Sequence, residues 1–129
     1  MVRSMIHRVY VDSSPKGELR WIDRATNEIG KHRIGKEKAV HDAEFKAVMI
    51  ALDDVLKRVS EKETVELYCD RKVVVDQLNH KAGIKETTIL TMADKVWNLA
   101  FQAQKERETE VRFLWVSRKE NPAGKMLGT

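Results

Sequence analysis

Three acidic residues stand where a carboxylate could do chemistry. Asp12 lies inside the apolar segment IHRVYVDS, Glu44 lies near the start of a long amphipathic segment, and Asp70 follows the segment TVELYC. A carboxylate within a central strand is unfavourable unless something uses it, and ligand crevices form at the carboxyl ends of strands. Converging carboxylates repel one another without a cation, and Mg²⁺ and Mn²⁺ prefer oxygen ligands. We therefore predict a metal site on these three residues.

Each acid also has a purely structural explanation. Asp70 could be a helix N-cap, Glu44 could be a solvated charge in the first turn of a helix, and Asp12 could cap the turn at Ser14. Each residue taken alone is a weak indication, and the prediction depends on the three being brought together by the fold.

The elements that must position these acids follow from the hydrophobic periodicity. Alternating or β-rich segments predict strands, and apolar residues at helical spacing predict helices. The order predicts an α/β fold: an antiparallel meander of three strands, then crossovers that add parallel strands to give a mixed five-stranded sheet flanked by helices. The apolar run of the last strand predicts a buried, parallel position. The predicted strands are residues 6–13, 18–23, 28–34, 64–70 and 110–116, and the predicted helices are residues 43–59, 71–78 and 87–105, with one or two turns within 121–129.

Composition and charge limit the protein class. The chain has 129 residues, which we interpret as a single domain over residues 1–129, with 24 basic and 20 acidic residues and a net charge of +4. This composition argues against disorder and against a polycation, and it permits nucleic-acid binding. The single cysteine, Cys69, excludes an internal disulfide and a multi-thiolate zinc site. Neither a membrane span nor a signal peptide is apparent, so we expect a cytoplasmic protein.

Four segments carry a resemblance to a known family. VYVDSS, HDAEFKAVMIAL, VELYCDRKVVVDQLN and FLWVSRKENPAGKMLG span almost the whole chain. Together they resemble the ribonuclease H family, in its compact reverse-transcriptase-like branch. The resemblance implies a ribonuclease H-like fold and endonucleolytic cleavage of the RNA strand in RNA–DNA hybrids, dependent on Mg²⁺ or Mn²⁺. It also implies that Asp12, Glu44 and Asp70 are both the catalytic residues and the metal ligands.

The chain departs from the family pattern at three positions. His41 stands where the family often has Asn, Arg71 replaces a Ser, and Lys125 replaces the fourth metal-binding Asp. Three carboxylates and one lysine carry a charge of −2, which one divalent ion balances. If Lys125 points into the cluster, we expect one ion rather than two and weakened cleavage. The alternative is that Lys125 is a solvated surface residue.

Basic residues near the predicted site could contact phosphates. We predict that His41, Arg71, Lys72 and Arg118 contact a nucleic acid, an RNA–DNA hybrid or another duplex. The cluster Lys31, Arg33, Lys36 and Lys38 is typical of a solvated face. We expect the three tryptophans and Cys69 in the core, and every histidine except His41 at the surface.

Two other functions remain open at this stage. The chain could be a non-catalytic nucleic-acid-binding module that kept the fold and lost the fourth ligand. It could also be a regulatory domain whose basic groove binds an acidic partner. A hydrolysis assay separates the enzyme from both alternatives, and the salt dependence of binding separates the two alternatives from each other.

Overall fold

A five-stranded mixed sheet organises the protein in a computed structural model, which describes residues 5–35 and 39–127. The strand order is β3-β2-β1-β4-β5, with β1–β2 and β2–β3 antiparallel and β1–β4 and β4–β5 parallel. The strands are β1 (Ile6–Ser13), β2 (Glu18–Asp23), β3 (Ile29–Arg33), β4 (Thr64–Cys69) and β5 (Glu110–Trp115); the helices are α1 (Val40–Leu56), α2 (Lys72–Leu78), α3 (Thr87–Arg107) and α4 (Pro122–Met126), with a 3₁₀ turn at Arg118–Glu120.

The main core lies between the sheet and helices α1 and α3. Phe45, Val48 and Leu52 recur on α1 at helical spacing and are fully buried, as are Val9 and Val11 of β1. This burial of one face of α1 against the central strand holds the start of the helix beside the carboxyl end of β1.

The close packing of β2 against β3 requires a glycine. Trp21 is fully buried, and a Cβ built on Gly30 would lie 1.8 Å from the Trp21 indole nitrogen. Gly30 therefore makes room for the indole, which donates a hydrogen bond from Nε1 to Asp54 Oδ2 of α1 at 3.0 Å. This bond ties the meander to α1.

The predicted fold class is confirmed, and most predicted elements have the predicted type. The first helix begins at Val40, three residues before the predicted start, and ends at Leu56. The last strand is parallel as predicted, but it is an edge strand rather than a buried one, and Trp115 is 51% exposed. The prediction that Trp115 belongs to the core is therefore wrong.

One histidine prediction also fails. His7 is buried, and its ring nitrogens contact Asp23 Oδ2 at 2.6 Å and Glu63 Oε1 at 3.1 Å. The two carboxylates provide the polar partners that allow a histidine inside the protein. Cys69 is buried as predicted. Lys36 and Lys38 lie outside the described residues, and among those described no helix is long and apolar enough to cross a membrane.

Candidate metal centre and nucleic-acid interface

The fold brings the three predicted acids together. β1 and β4 are adjacent parallel strands, so Asp12 near the end of β1 and Asp70 directly after β4 lie at the same edge of the sheet. Glu44 projects from the first half of α1, which packs on β1. One carboxylate oxygen from each residue lies within 4.8 Å of the other two. We call Asp12, Glu44 and Asp70 the acid cluster.

Hydrogen bonds fix two of these carboxylates in position. Ser13 Oγ donates to Glu44 Oε1 at 2.8 Å, and the Ser13 amide donates to Asp12 Oδ1 at 2.9 Å. Cys69 Sγ lies 3.7 Å from Glu44 Oε2. Glu44 is 4% exposed and Asp12 6% exposed. The side chains are therefore held in a low-dielectric setting where like charges repel strongly.

Burial and repulsion raise the pKa values of the cluster. Burial, followed by the charge of Asp12, raises the pKa of Glu44 to about 8. Burial also raises the pKa of Asp12, and the charge of Asp70 adds to the effect. Within residues 5–35 and 39–127, no lysine or arginine forms an ion pair with any of the three carboxylates. A divalent cation would supply the missing positive charge, and the oxygen donors fit Mg²⁺ or Mn²⁺.

Asn121, which is not among the predicted site residues, completes the surroundings of Asp70. Its side-chain Nδ2 donates to Asp70 Oδ2 at 3.1 Å and to the Val11 carbonyl at 3.0 Å. Its Oδ1 accepts the Ala123 amide at 3.1 Å, so Asn121 also caps α4. An Asn followed by a Pro is typical of a helix start, and this signal was available in the sequence. The contact with Asp70 was not, because it joins residues far apart in the chain.

Lys125 lies in the last turn of α4, which packs against β1 and β2. Its side chain is exposed. In the part of the chain that the structure describes, it forms no ion pair with the acid cluster. The predicted effect of Lys125 on the number of ions stays a prediction.

Arg118, in the 3₁₀ turn after β5, lies close enough to the cluster to act on its charge. It is exposed, and its charge lowers the pKa of Asp12, against the larger effect of burial. It also borders a cavity of about 310 Å³ that reaches Glu44. The cavity is lined by Ser13, Ser14, Pro15, Ala39, Val40, Ala43, Glu44 and Arg118. A phosphate at the acid cluster would therefore have a cation beside it.

The remaining predicted contact residues form a second group. Arg71 Nε donates to His41 Nδ1 at 3.3 Å, and His41 Nε2 contacts Gln77 Oε1 at 2.8 Å. This chain of contacts joins the start of α1 to α2. Lys72 is exposed and pairs with Asp76 Oδ2 at 3.0 Å on the same helix. Arg71 and His41 are thus ordered neighbours of the cluster, whereas Lys72 forms an ion pair with an acid of its own helix.

Comparisons with known proteins agree with this architecture. Residues 8–128 match the family described as "Reverse transcriptase-like". The comparison with curated proteins found no match.

Three solved structures share the fold. The N-terminal RNase H domain of a Mycobacterium tuberculosis protein, solved as a fusion with maltose-binding protein, is 21% identical with a TM-score of 0.74, over 95% of both chains. RNase H1 from the archaeon Halobacterium salinarum is 17% identical with a TM-score of 0.76, over 95% of this chain and 93% of that one. An RNase H1 isolated from compost, in complex with an RNA/DNA hybrid, is 20% identical with a TM-score of 0.69, over 95% and 91%.

Proposed function

This chain belongs to the reverse transcriptase-like family and has the ribonuclease H fold, and on that premise we propose that it cleaves the RNA strand of RNA–DNA hybrids with a divalent metal ion. The acid cluster is the proposed catalytic and metal-binding site. The observation that carries the proposal is the convergence of three carboxylates from β1, α1 and the end of β4 within 4.8 Å. The mutual repulsion of the three carboxylates acts against folding, so their convergence favours a functional role.

The residues of the cluster have separate tasks in this proposal. Asp12 and Glu44 are buried and hydrogen-bonded to Ser13, so they hold fixed oxygens. Asp70 is oriented by Asn121. A divalent ion held there supplies Lewis acidity for phosphodiester hydrolysis. Binding of the ion would displace the proton that Glu44 carries at neutral pH.

We favour one Mg²⁺ or Mn²⁺ ion over two. Three oxygens within 4.8 Å of one another suit a shared ion, and Lys125 occupies the sequence position of the family's fourth acid. A second ion would have fewer carboxylates to hold it. Cleavage is accordingly expected to be weaker than with a fourth acid.

The polynucleotide would be held by cations around the cluster. The proposed phosphate contacts are Arg118, whose charge acts on Asp12, and Arg71 with its partner His41. Lys72, which pairs with Asp76, is at the margin. Such contacts position a nucleic acid without reading its sequence. One similar structure, the compost RNase H1, is a complex with an RNA/DNA hybrid, which supports a hybrid as the ligand.

A second candidate function is a nucleic-acid-binding module without catalysis. It is favoured by one observation: the position of the fourth acid holds Lys125, and this lysine is exposed. In that case the acid cluster would bind an ion that attracts the phosphate backbone but leaves the phosphodiester intact.

Cleavage of a labelled RNA–DNA hybrid in Mn²⁺ tests the proposal. The native protein should cut the RNA strand slowly, and Asp70→Asn should reduce the rate at least about tenfold, equivalent to roughly 1.4 kcal/mol of barrier. Asp94→Asn, an exposed acid on α3 outside the cluster, is the matched control and should retain the native rate. Binding without any cutting by the native protein would reject the enzyme and favour the binding module.

Arg118→Ala separates phosphate contacts from other binding. The slope of log affinity against log salt should fall by about 1 for one lost contact. An unchanged affinity and slope would remove Arg118 from the interface.

A further inference from the structure

Trp115 is a large exposed aromatic beside the acid cluster. It pairs in register with Cys69 on β4, and Cys69 is buried. Phe113, two residues earlier on the same strand face, is also buried. Trp115 differs from both because 51% of it is exposed, at the carboxyl end of an edge strand.

The indole is held in place by a hydrogen bond. Trp115 Nε1 donates to the backbone carbonyl of Asp70 at 3.1 Å. This bond ties the edge of the ring to a residue of the acid cluster, while about half of the side chain stays exposed. An aromatic plate that is already ordered loses little conformational entropy when a ligand stacks on it.

Cations flank this plate along the chain. Arg71 is the next residue after Asp70, whose carbonyl accepts the indole hydrogen bond, and Arg118 follows Trp115 by three residues. Both arginines reach the surroundings of the cluster, Arg71 through His41 and Arg118 through its effect on Asp12. Aromatic faces next to a cationic backbone track are typical of sites that bind single-stranded nucleic acid.

We propose that Trp115 is the stacking platform for an unpaired nucleobase next to the acid cluster. This inference rests on the proposed function, because a phosphate backbone at the cluster is what brings a base to the indole. Bases inside a continuous duplex are stacked on both sides, whereas an unpaired base can be splayed out to lay one face on the indole. The preferred ligand is then a hybrid with a single-stranded flank.

Binding of two hybrids tests this inference. One hybrid is blunt and the other has the same duplex with a single-stranded overhang. A non-hydrolysable RNA backbone prevents cleavage while Mn²⁺ is present. The native protein should bind the overhang hybrid at least about fivefold more tightly, since one stacked base is worth about 1–3 kcal/mol. Trp115→Leu should lose this preference and keep the salt slope, because no phosphate contact is removed. Trp115→Phe should keep most of the preference for the overhang hybrid, because a phenyl ring can also stack on a base.

A matched control and a measurement on the native protein complete the test. Phe101→Ala removes another exposed aromatic, 61% exposed on α3, and should leave the preference unchanged. Tryptophan emission of the native protein should be quenched by the overhang hybrid more than by the blunt one, and Trp115→Phe should abolish the difference. The two other tryptophans give a background that Trp115→Phe retains: Trp21 is fully buried, and Trp97 is partly buried with its ring stacked on His80 at 4.6 Å.

The outcomes distinguish the two proposals. Equal affinity of the native protein for both hybrids, or a preference that survives Trp115→Leu, overturns the stacking platform and leaves the proposed function standing. Failure of the native protein to bind either hybrid, in EDTA and in Mn²⁺, overturns the proposed function and this inference with it.

Discussion

Glu44→Gln should stabilise the metal-free protein at high pH. The native pKa of Glu44 is raised from its usual 4.5 to about 8 by burial and by the charge of Asp12. The folded protein therefore binds more protons than the unfolded chain between these two values. The free energy of unfolding must therefore fall as the pH rises from 4.5 to about 8, and above the folded pKa of Glu44 the destabilisation is complete. Gln has nearly the same shape as protonated Glu and does not titrate, so the variant lacks this loss.

The magnitude follows from the shift. Moving a pKa from 4.5 to about 8 corresponds to about 5 kcal/mol of unfolding free energy at most. Relaxation of the site and entry of water at high pH lower the penalty, so we expect the variant to exceed the native protein by about 2–3 kcal/mol at about pH 9. At about pH 5 the two proteins should differ by less than about 1 kcal/mol, because native Glu44 is then mostly protonated.

Urea unfolding in EDTA across this pH range measures the difference. Glu106→Gln, an exposed glutamate on α3, is the control and should follow the native curve. Added Mn²⁺ should stabilise the native protein more than Glu44→Gln, because the variant loses a ligand. A constant difference between native protein and Glu44→Gln at all pH values would refute the electrostatic account of the cluster.

The remaining predictions concern residues around the cluster and at the opposite end of the sheet. Asn121→Ala should cost about 2 kcal/mol of unfolding free energy, because the buried Val11 carbonyl and the half-buried Asp70 carboxylate lose their donor. Asn98→Ala, on the exposed side of α3, is the control, and a loss equal to the control's would contradict the role of Asn121. Burial by itself would lower the pKa of His7, but the carboxylates of Asp23 and Glu63 outweigh it and raise the pKa above 6.5. The stability that this pairing contributes is present below pH 6.5 and is lost as the pH rises through the folded pKa; an NMR titration giving His7 a pKa at or below 6.5 would reject the pairing. Lys125→Asp should raise hybrid cleavage in Mn²⁺ at least about tenfold by adding a fourth acid, and no gain in an active protein would show that Lys125 lies outside the site.

The order of the elements and the resemblance to the ribonuclease H family were predictable from the sequence and are confirmed. Both depend on local signals. Period-two and helical spacing give strands and helices, and an acid inside an apolar strand marks Asp12 as unusual. These signals need no knowledge of which segments meet in space.

The features that the sequence did not predict depend on long-range contacts. The segment that contains Trp115 has the apolar pattern of a core strand, and Trp115 is exposed because β5 lies at the edge of the sheet. His7 has a polar side chain, but its ring nitrogens contact Asp23 and Glu63, which lie in two other segments, and these contacts allow its burial. Asn121 contacts Asp70 across 51 residues of chain. Long-range contacts of this kind are determined by the tertiary fold, and periodicity within one segment carries no information about them.

Calorimetric titration of the native protein with Mn²⁺ tests the central claim most directly, since the account requires the acid cluster to hold a divalent ion. We predict binding of about one ion, with release of a proton from Glu44 near neutral pH, and a markedly lower affinity in Asp70→Asn. Asp76→Asn should bind as the native protein does. Absence of binding, or an affinity that is the same in Asp70→Asn as in the native protein, would contradict the claim that Asp12, Glu44 and Asp70 form a metal centre.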